Sequence, residues 1–243
     1  ISGDGQFIAV GQDINSNNLN RGPIYIYKRT GNNSWSQVGS GLSGEEQSRF
    51  GSSISLSKDG KVLAVGAPEY GSGYVCLYKL ENNNWTQIGS RLTGGNKQYQ
   101  FGKSVSLSDD GNFVAIGAPN SRDNLKNKSG TTQVYRNNNG SWVQHGGDIY
   151  GDLGQDRSGW SVSLSSDGGV LAVGSNKGND GKIKIFKYEN NAWKSSGSIT
   201  ANASHGYEYS VSLSADGSII GVGIPNGYLG KGHVKIFKNI SGS

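Results

Sequence analysis

Short stretches of alternating apolar and polar residues, separated by turn residues, recur along the whole chain. Within residues 50–100, residues 53–57 alternate with a period of two, which is the pattern of a strand with one buried face. Asp59-Gly60 follows, and this pair supplies the positive φ that a tight hairpin turn requires. Further strands are predicted over residues 61–67, 73–79 and 85–89. Since no stretch keeps the 3.6-residue period of a helix, we expect an all-β protein.

These strands belong to a repeat of roughly 50 residues, marked in register by three features. A Ser-x-Asp-Gly turn recurs with its aspartate at Asp4, Asp59, Asp110, Asp167 and Asp216. A tryptophan recurs at Trp35, Trp85, Trp142 and Trp193, and a Tyr/Phe-Lys pair ends the third strands. Four short strands in a repeat of this length are typical of a propeller blade. We therefore expect one β-propeller domain over residues 1–243, built of four-stranded antiparallel blades, with repeats at about 1–49, 50–100, 101–157, 158–206 and 207–243.

The first and last repeats are shorter than the other three. Ile1-Ser2 aligns with Leu56-Ser57, so the first repeat lacks its inner strand, and the fifth stops before a tryptophan strand. We expect a segment of a longer chain, whose complete ring can hold more than five blades. An open five-bladed object is the alternative.

Two short motifs open and close the second and third repeats. Phe50-Gly51 and Phe101-Gly102 precede the inner strands, and Gly66-Ala67-Pro68 and Gly117-Ala118-Pro119 end the second strands. This combination resembles the FG-GAP repeat of integrin-α-type propellers. The resemblance implies extracellular adhesion or ligand recognition, often with calcium in the first hairpin. Calcium needs several oxygen ligands, whereas each hairpin here has one aspartate, which we interpret as a turn former. We expect no metal and no cofactor.

Composition removes several classes of function. The 23 basic and 18 acidic residues are spread along the chain, so we do not expect nucleic-acid binding. No apolar run approaches the roughly 18 residues that cross a bilayer, so direct membrane insertion is not expected. One cysteine excludes a disulfide framework within the chain. His145, His205 and His233 are scattered, and no catalytic site is predicted.

Ligand recognition in a propeller is expected on loops held by the rigid blades. The loops after the second strands and before the first strands share one face and differ most between repeats. Aromatic and charged residues on them are the candidate ligand- or partner-binding residues: Tyr70, Tyr99, Arg122, Asp123, Tyr150, Tyr207 and Tyr228. The alternative is that these tyrosines cap blade ends or pack between neighbouring blades.

Six Asn-x-Ser/Thr sequons are candidate N-glycosylation sites if the protein is secreted from a eukaryote. They begin at Asn32, Asn84, Asn127, Asn139, Asn202 and Asn239. The alternative is that Asn-rich turns beside Ser-rich strands produce sequons by composition.

We therefore expect a non-enzymatic binding or structural module of a larger secreted or surface protein, located outside the cell or on a cell or particle surface. It would mediate adhesion or assembly through its loop face or blade rims, with a protein or glycan ligand. A lectin-like propeller with one sugar site per blade is the alternative, and an enzyme using the central pocket is a third. The tyrosines occur in some repeats and not in others, which favours a single protein interface over repeated sugar sites.

Overall fold

The computed structural model describes residues 1–11, 22–95, 99–122, 128–176, 182–200, 209–225 and 232–238. Within those residues there is no helix, and the strands form five small antiparallel sheets arranged as the blades of a propeller. This confirms the predicted fold class. No helix in these ranges could cross a membrane.

Each blade consists of strands that follow one another along the chain. The first contains β1 (Phe7–Gly11), β2 (Ile24–Arg29) and β3 (Trp35–Gln37). The second contains β4 (Ser53–Leu56), β5 (Val62–Ala67), β6 (Tyr74–Glu81), β7 (Asn84–Gln87) and β8 (Leu92–Thr93). The third contains β9 (Ser104–Leu107), β10 (Phe113–Ala118), β11 (Thr131–Asn138), β12 (Ser141–Gln144) and β13 (Ile149–Tyr150).

The fourth blade contains β14 (Ser161–Leu164), β15 (Val170–Gly174), β16 (Lys182–Glu189) and β17 (Ala192–Thr200). The fifth contains β18 (Ser210–Leu213), β19 (Ile219–Ile224) and β20 (His233–Lys238). The inner strands β4, β9, β14 and β18 contact one another in turn around the centre. Among the described residues, the first blade has no strand inside β1 and the fifth has none outside β20, as the two short repeats predicted.

The outer strand departs from the prediction in the second and third blades, where it is broken into two pieces. β8 pairs with the beginning of β6, and β13 with the beginning of β11, beyond the interruption. Gly89 and Gly146 lie at the breaks with φ of 68° and 82°, a left-handed conformation that ends a strand. In the fourth blade β17 is continuous, with a register shift opposite Ile185 and Phe186 instead.

The Ser-x-Asp-Gly segments form the turns that lead into the second strand of each repeat, and in the second to fifth blades they join it to the inner strand. In the second blade the Ser57 hydroxyl donates to Asp59 Oδ1 (2.7 Å), and Asp59 Oδ1 also accepts the Lys61 N–H (3.0 Å). Ser57 Oγ in turn accepts the Val62 N–H at 2.9 Å. The same three bonds recur in the other four turns. The interpretation of the aspartates as turn formers is confirmed.

The hydrophobic core lies between blades, because each sheet is covered by its neighbours. Val75 and Leu77 of the second blade are buried in one cluster with Phe101 and Leu107 of the third. Phe50 similarly packs between the first and second blades.

The Phe-Gly and Gly-Ala-Pro segments are explained by this packing. Gly102 has φ 86°, and a Cβ atom placed on Gly66 would overlap the Gly102 carbonyl oxygen. Gly117 stands in the same relation to Gly159. The two glycines of the motif are therefore required wherever the second strand of one blade and the segment before the inner strand of the next approach this closely. The Phe-Gly and Gly-Ala-Pro segments are therefore explained by the packing of adjacent blades and do not identify a protein family.

Candidate binding site on the loop face

The loops before the inner strands and after the second strands meet on one side of the molecule, which we call the loop face. The Glu69 N–H donates to Ser48 O (3.2 Å), and the Phe101 N–H donates to Ser72 O (2.9 Å). The first bond joins two loops of the second blade, and the second joins a loop of the second blade to the loop that leads into the third. The scaffold can hold side chains from different blades in fixed relation.

A groove of about 290 Å³ opens on this face between the second and third blades. We call it the loop-face groove; its lining includes Glu69, Tyr99, Gln100, Asn120, Arg122 and Lys128. Its size is at the lower end of the range for small-ligand pockets, which is roughly 300–1,000 Å³.

Tyr99 and Arg122, both predicted from the sequence, come together in this groove. The Arg122 guanidinium lies 5.7 Å from the centre of the exposed Tyr99 ring. This distance is within the range of a cation–π contact, which contributes about 0.5–1 kcal/mol at exposed sites. The pair comes from two separate loops, the one before the inner strand of the third blade and the one after its second strand.

A chain of hydrogen-bonded amide and carboxylate groups lines the groove. The Asn120 amide donates to Gln100 Oε1 (2.8 Å), and the Gln100 amide donates to Glu69 Oε1 (3.4 Å). Asn120 Oδ1 is buried and has no hydrogen-bond partner among the described residues. The groove thus offers an aromatic ring, the cations Arg122 and Lys128, and one carboxylate within a small space.

Tyr70 belongs to a second cluster beside the groove. The Arg91 guanidinium lies 5.8 Å from the Tyr70 ring and 5.1 Å from the Tyr74 ring. Arg91 also contacts Glu45 Oε1 at 3.3 Å, and the Tyr74 hydroxyl accepts the Glu45 N–H at 3.1 Å. Glu69 and Tyr70 are neighbours in sequence, so one short loop lines the groove and contributes to this cluster.

The structure does not bring Tyr150 into the groove. Its hydroxyl donates to Asp148 Oδ2 (2.8 Å), and Asp148 Oδ1 accepts the side-chain amides of Gln133 (2.6 Å) and Gln144 (2.7 Å). The Tyr150 hydroxyl is thus held by Asp148 within the third blade, and the side chain is 43% exposed. Asp123, Tyr207 and Tyr228 lie outside the described residues.

Three sequon asparagines are exposed in the described part of the chain, all near the link between third and fourth strands: Asn32, Asn84 and Asn139. Asn127, Asn202 and Asn239 lie outside the described residues. Glycosylation at any of the six stays a prediction.

The described histidine of the third blade has a packing role. His145 stacks on Tyr188 with ring centres 3.8 Å apart, next to Phe113 and Trp193. Burial lowers the pKa of His145, and the charge of Arg136 adds to the effect. Within the described ranges no three His, Cys, Asp or Glu side chains are grouped as a metal site would require. Cys76 is buried, and burial raises the pKa of its thiol.

Several site residues were not predicted. Glu69, Asn120 and Lys128 lie in loops that the sequence placed on this face, so a charged or amide side chain there was a detectable signal. Arg91 and Glu45 carried no such signal, because Arg91 reaches Tyr70 only when the second blade is folded, and Glu45 reaches Arg91 from the chain between the first and second blades.

Comparison with known proteins identifies a fold and no family. No protein-family model matches the chain, and no curated protein matches its sequence. Its structure is similar to that of TolB from Acinetobacter baumannii, with a TM-score of 0.61 and 17% identity over 100% of this chain and 52% of that one. It is also similar to PpgL, a periplasmic gluconolactonase of Pseudomonas aeruginosa (TM-score 0.62, 17% identity, 97% of this chain and 66% of that one).

A third similar structure is KlAtg21, solved in complex with the coiled-coil of AgAtg16 (TM-score 0.64, 16% identity, 97% of this chain and 64% of that one). The chain therefore spans between 52% and 66% of the length of these three structures. The assignment to FG-GAP repeats is wrong, because the neighbours are TolB-like and lactonase propellers and the motif follows from blade packing. At these identities the likeness establishes a β-propeller fold.

Proposed function

We propose that this β-propeller is a non-enzymatic binding module that holds a protein partner on its loop face, with the loop-face groove at the centre of the contact. The observation that carries the proposal is the pairing of exposed Tyr99 with Arg122, drawn from two loops, at the mouth of a groove. Tyrosine and arginine are enriched among the residues that dominate protein interfaces.

The second cluster extends this surface in the direction of the first blade. Tyr70 is exposed and contacts Arg91, and Glu69 of the same loop faces the groove. Because the loop of Glu69 and Tyr70 contributes to both places, we treat the two Tyr–Arg pairs as one polar and aromatic strip. A polypeptide can contact such a strip at several points, whereas a small molecule would occupy the groove alone.

The composition of the groove favours binding over chemistry. Its described lining has one carboxylate, Glu69, and neither a histidine nor a cysteine to act as base or nucleophile. Among the described residues, the third blade has no Tyr–Arg pair at the positions of Tyr70 and Arg91. A lectin with one equivalent sugar site per blade would repeat such a pair, so this difference disfavours it. Adhesion or assembly, within a larger secreted or surface protein, is the role we propose for such a contact.

A phage-displayed random peptide library tests the proposal, with the full chain as bait and fluorescence anisotropy of the selected peptides as the readout. We expect Tyr99→Ala and Arg122→Ala each to weaken binding of the selected peptides at least tenfold. The control is Val143→Ala, which changes an exposed residue of β12 at a different place and should leave the affinity unchanged.

Three results would contradict parts of the proposal. Peptides that bind the Tyr99→Ala and Arg122→Ala variants as tightly as the unaltered chain would remove the groove from the interface. A glycan-array signal that depends on Tyr99 would favour the lectin alternative. Hydrolysis of gluconolactone above the uncatalysed rate would contradict the non-enzymatic assignment.

A further inference from the structure

Each blade presents one face to the blade that follows it, and we call this its forward face. In the second blade, Val75 and Leu77 lie on the forward face and are 0% and 1% exposed beneath the third blade. Ile24 and Ile26 occupy the same positions in the first blade and are equally buried beneath the second. Cover by a following blade is thus the normal state of this face.

The forward face of the fifth blade is uncovered by any described residue. Val234 pairs with Gly223 and Ile236 with Gly221, the register that Val75 and Leu77 have with Gly66 and Ala64. Yet Val234 is 69% exposed and Ile236 is 68% exposed. Two aliphatic side chains at positions that are buried in the preceding blades are left in solvent.

The turns between the first two strands repeat the same relation. A Cβ atom on the turn glycine of one blade would collide with the first residue of the second strand of the preceding blade. Gly111 meets Val62, Gly168 meets Phe113 and Gly217 meets Val170 in this way. Ile219 is the next residue in the series, by its pairing with Lys238, and it is 39% exposed.

Polar groups near the propeller centre complete the pattern. Ser55 Oγ accepts the Leu107 N–H (3.0 Å), and Ser163 Oγ accepts the Leu213 N–H (2.9 Å). Ser212 is the next hydroxyl in this series. The turns are linked by backbone bonds as well: the Ser166 N–H donates to Ala215 O at 2.8 Å, and the Ala215 N–H is the next donor.

We propose that the forward face of the fifth blade, formed by Ile219, Val234, Ile236, Ser212 and the Ala215 N–H, is a docking surface for one further blade of this same repeat. The occupant is a four-stranded sheet with a leucine at the end of its inner strand and a Ser-x-Asp-Gly turn after it. The leucine N–H would reach Ser212 Oγ, the turn carbonyl would accept the Ala215 N–H, and the turn glycine would cover Ile219.

These combined requirements favour a blade over other occupants. An amphipathic helix could cover Val234 and Ile236, but its backbone N–H groups are used within the helix and cannot reach Ser212. Another blade supplies the apolar cover, the strand N–H and the turn carbonyl in the arrangement already present between successive blades of this chain.

The test extends the full chain by a second copy of residues 188–238 placed after Lys238, which supplies an outer strand for the fifth blade and the first three strands of a sixth. Ile236→Cys, made in a Cys76→Ala background, is the probe, and a water-soluble maleimide reports how accessible the thiol is. We expect the extension to slow labelling of this cysteine at least tenfold. Val143→Cys is an exposed control on β12 whose labelling should not change.

A matched extension separates packing on the face from the presence of added chain. In it, Val211 and Leu213 of the appended copy are both replaced by aspartate, because in the fifth blade these residues pack against the fourth. Labelling should then stay fast. Equally fast labelling with the unaltered extension, in a chain whose circular dichroism shows added strand, would overturn the proposal. Slow labelling of the unextended chain that depends on its concentration would assign the face to a second copy instead.

Discussion

Gly66 and Gly102 meet at the interface between the second and third blades, where a Cβ atom on Gly66 would overlap the Gly102 carbonyl oxygen. The first of these glycines lies in a second strand and the other precedes the next inner strand. Their contact sets how closely the two sheets approach near the propeller centre. Small residues are therefore a geometric requirement at this radius.

Gly66→Ala is expected to destabilise the protein by about 1–3 kcal/mol, the usual cost of overpacking a close contact. The added methyl group would meet a backbone atom, which cannot rotate away as a side chain can. The midpoint of urea denaturation measures the effect. Gly197→Ala is the control, because nothing lies within 4 Å of a Cβ atom there; equal midpoints for the two variants would contradict the argument.

Asp167→Ala should cost about 1 kcal/mol near neutral pH, because Ser165 Oγ–H and Gly169 N–H lose their common acceptor in a largely exposed turn. The Ser165 hydrogen bond, with that of Gly169, lowers the pKa of Asp167. The folded protein therefore takes up this proton less readily than the unfolded chain. The stabilisation is complete above the ordinary carboxyl pKa of about 4 and is lost as the pH falls through the lowered value.

Unfolding curves of Asp167→Ala and the unaltered protein should consequently differ at pH 7 and converge in strong acid. Asp167→Asn keeps an oxygen acceptor at the same place and should lose less stability at pH 7. A difference that persists unchanged at low pH would show that the charge of this carboxylate does not contribute.

The stack of His145 on Tyr188 predicts a second, separate pH dependence. Burial, together with the Arg136 charge, lowers the pKa of His145, so the folded protein resists a proton that the unfolded chain accepts below about pH 6.5. Stability should be full above that pH and fall as the pH decreases. His145→Phe keeps a ring in the stack without a titrating group.

We expect the melting temperature to drop between pH 7.5 and pH 5.0 more in the unaltered protein than in His145→Phe. This window lies above the range in which the turn aspartates titrate. Parallel pH profiles for the two proteins would exclude His145 as the source of the effect.

Trp35 and Trp85 occupy the same position in their repeats but differ in how much of the side chain is exposed to solvent. Variants of these two residues therefore form a matched pair. Trp85 is 9% exposed and its Nε1–H donates to Val38 O of the first blade at 3.2 Å. Trp85→Phe should destabilise by about 1–2 kcal/mol through the lost hydrogen bond and the smaller ring. Trp35 is 38% exposed, and Trp35→Phe should stay within about 0.5 kcal/mol in thermal unfolding. Comparable losses in both variants would contradict a role for blade packing.

The local pattern of residues was sufficient to predict the strands, the turns and the repeat. The alternation of residues 53–57 and the Ser57–Asp59 turn depend on neighbours in sequence, and β4 and its turn are found where the pattern places them. The interruption of the outer strand at Gly89 was not predicted, because a glycine permits a left-handed residue without requiring one.

Both residues of the central pair in the candidate site could be predicted in the same way, since loop position suggested Tyr99 and Arg122 separately. That they touch is a property of the assembled blade, because the two loops are about 20 residues apart and meet only when β9 and β10 pair. Arg91 and Glu45 come from different blades and were not predicted.

The sequence by itself determined the blade, since hairpin turns and alternating strands are set by interactions between residues close along the chain. The tertiary structure decided what the motifs mean: the Phe-Gly and Gly-Ala-Pro segments are contacts between sheets, and the same aliphatic positions are buried in one blade and exposed in another. Burial depends on which surface lies opposite, and that information is carried by the neighbouring blade.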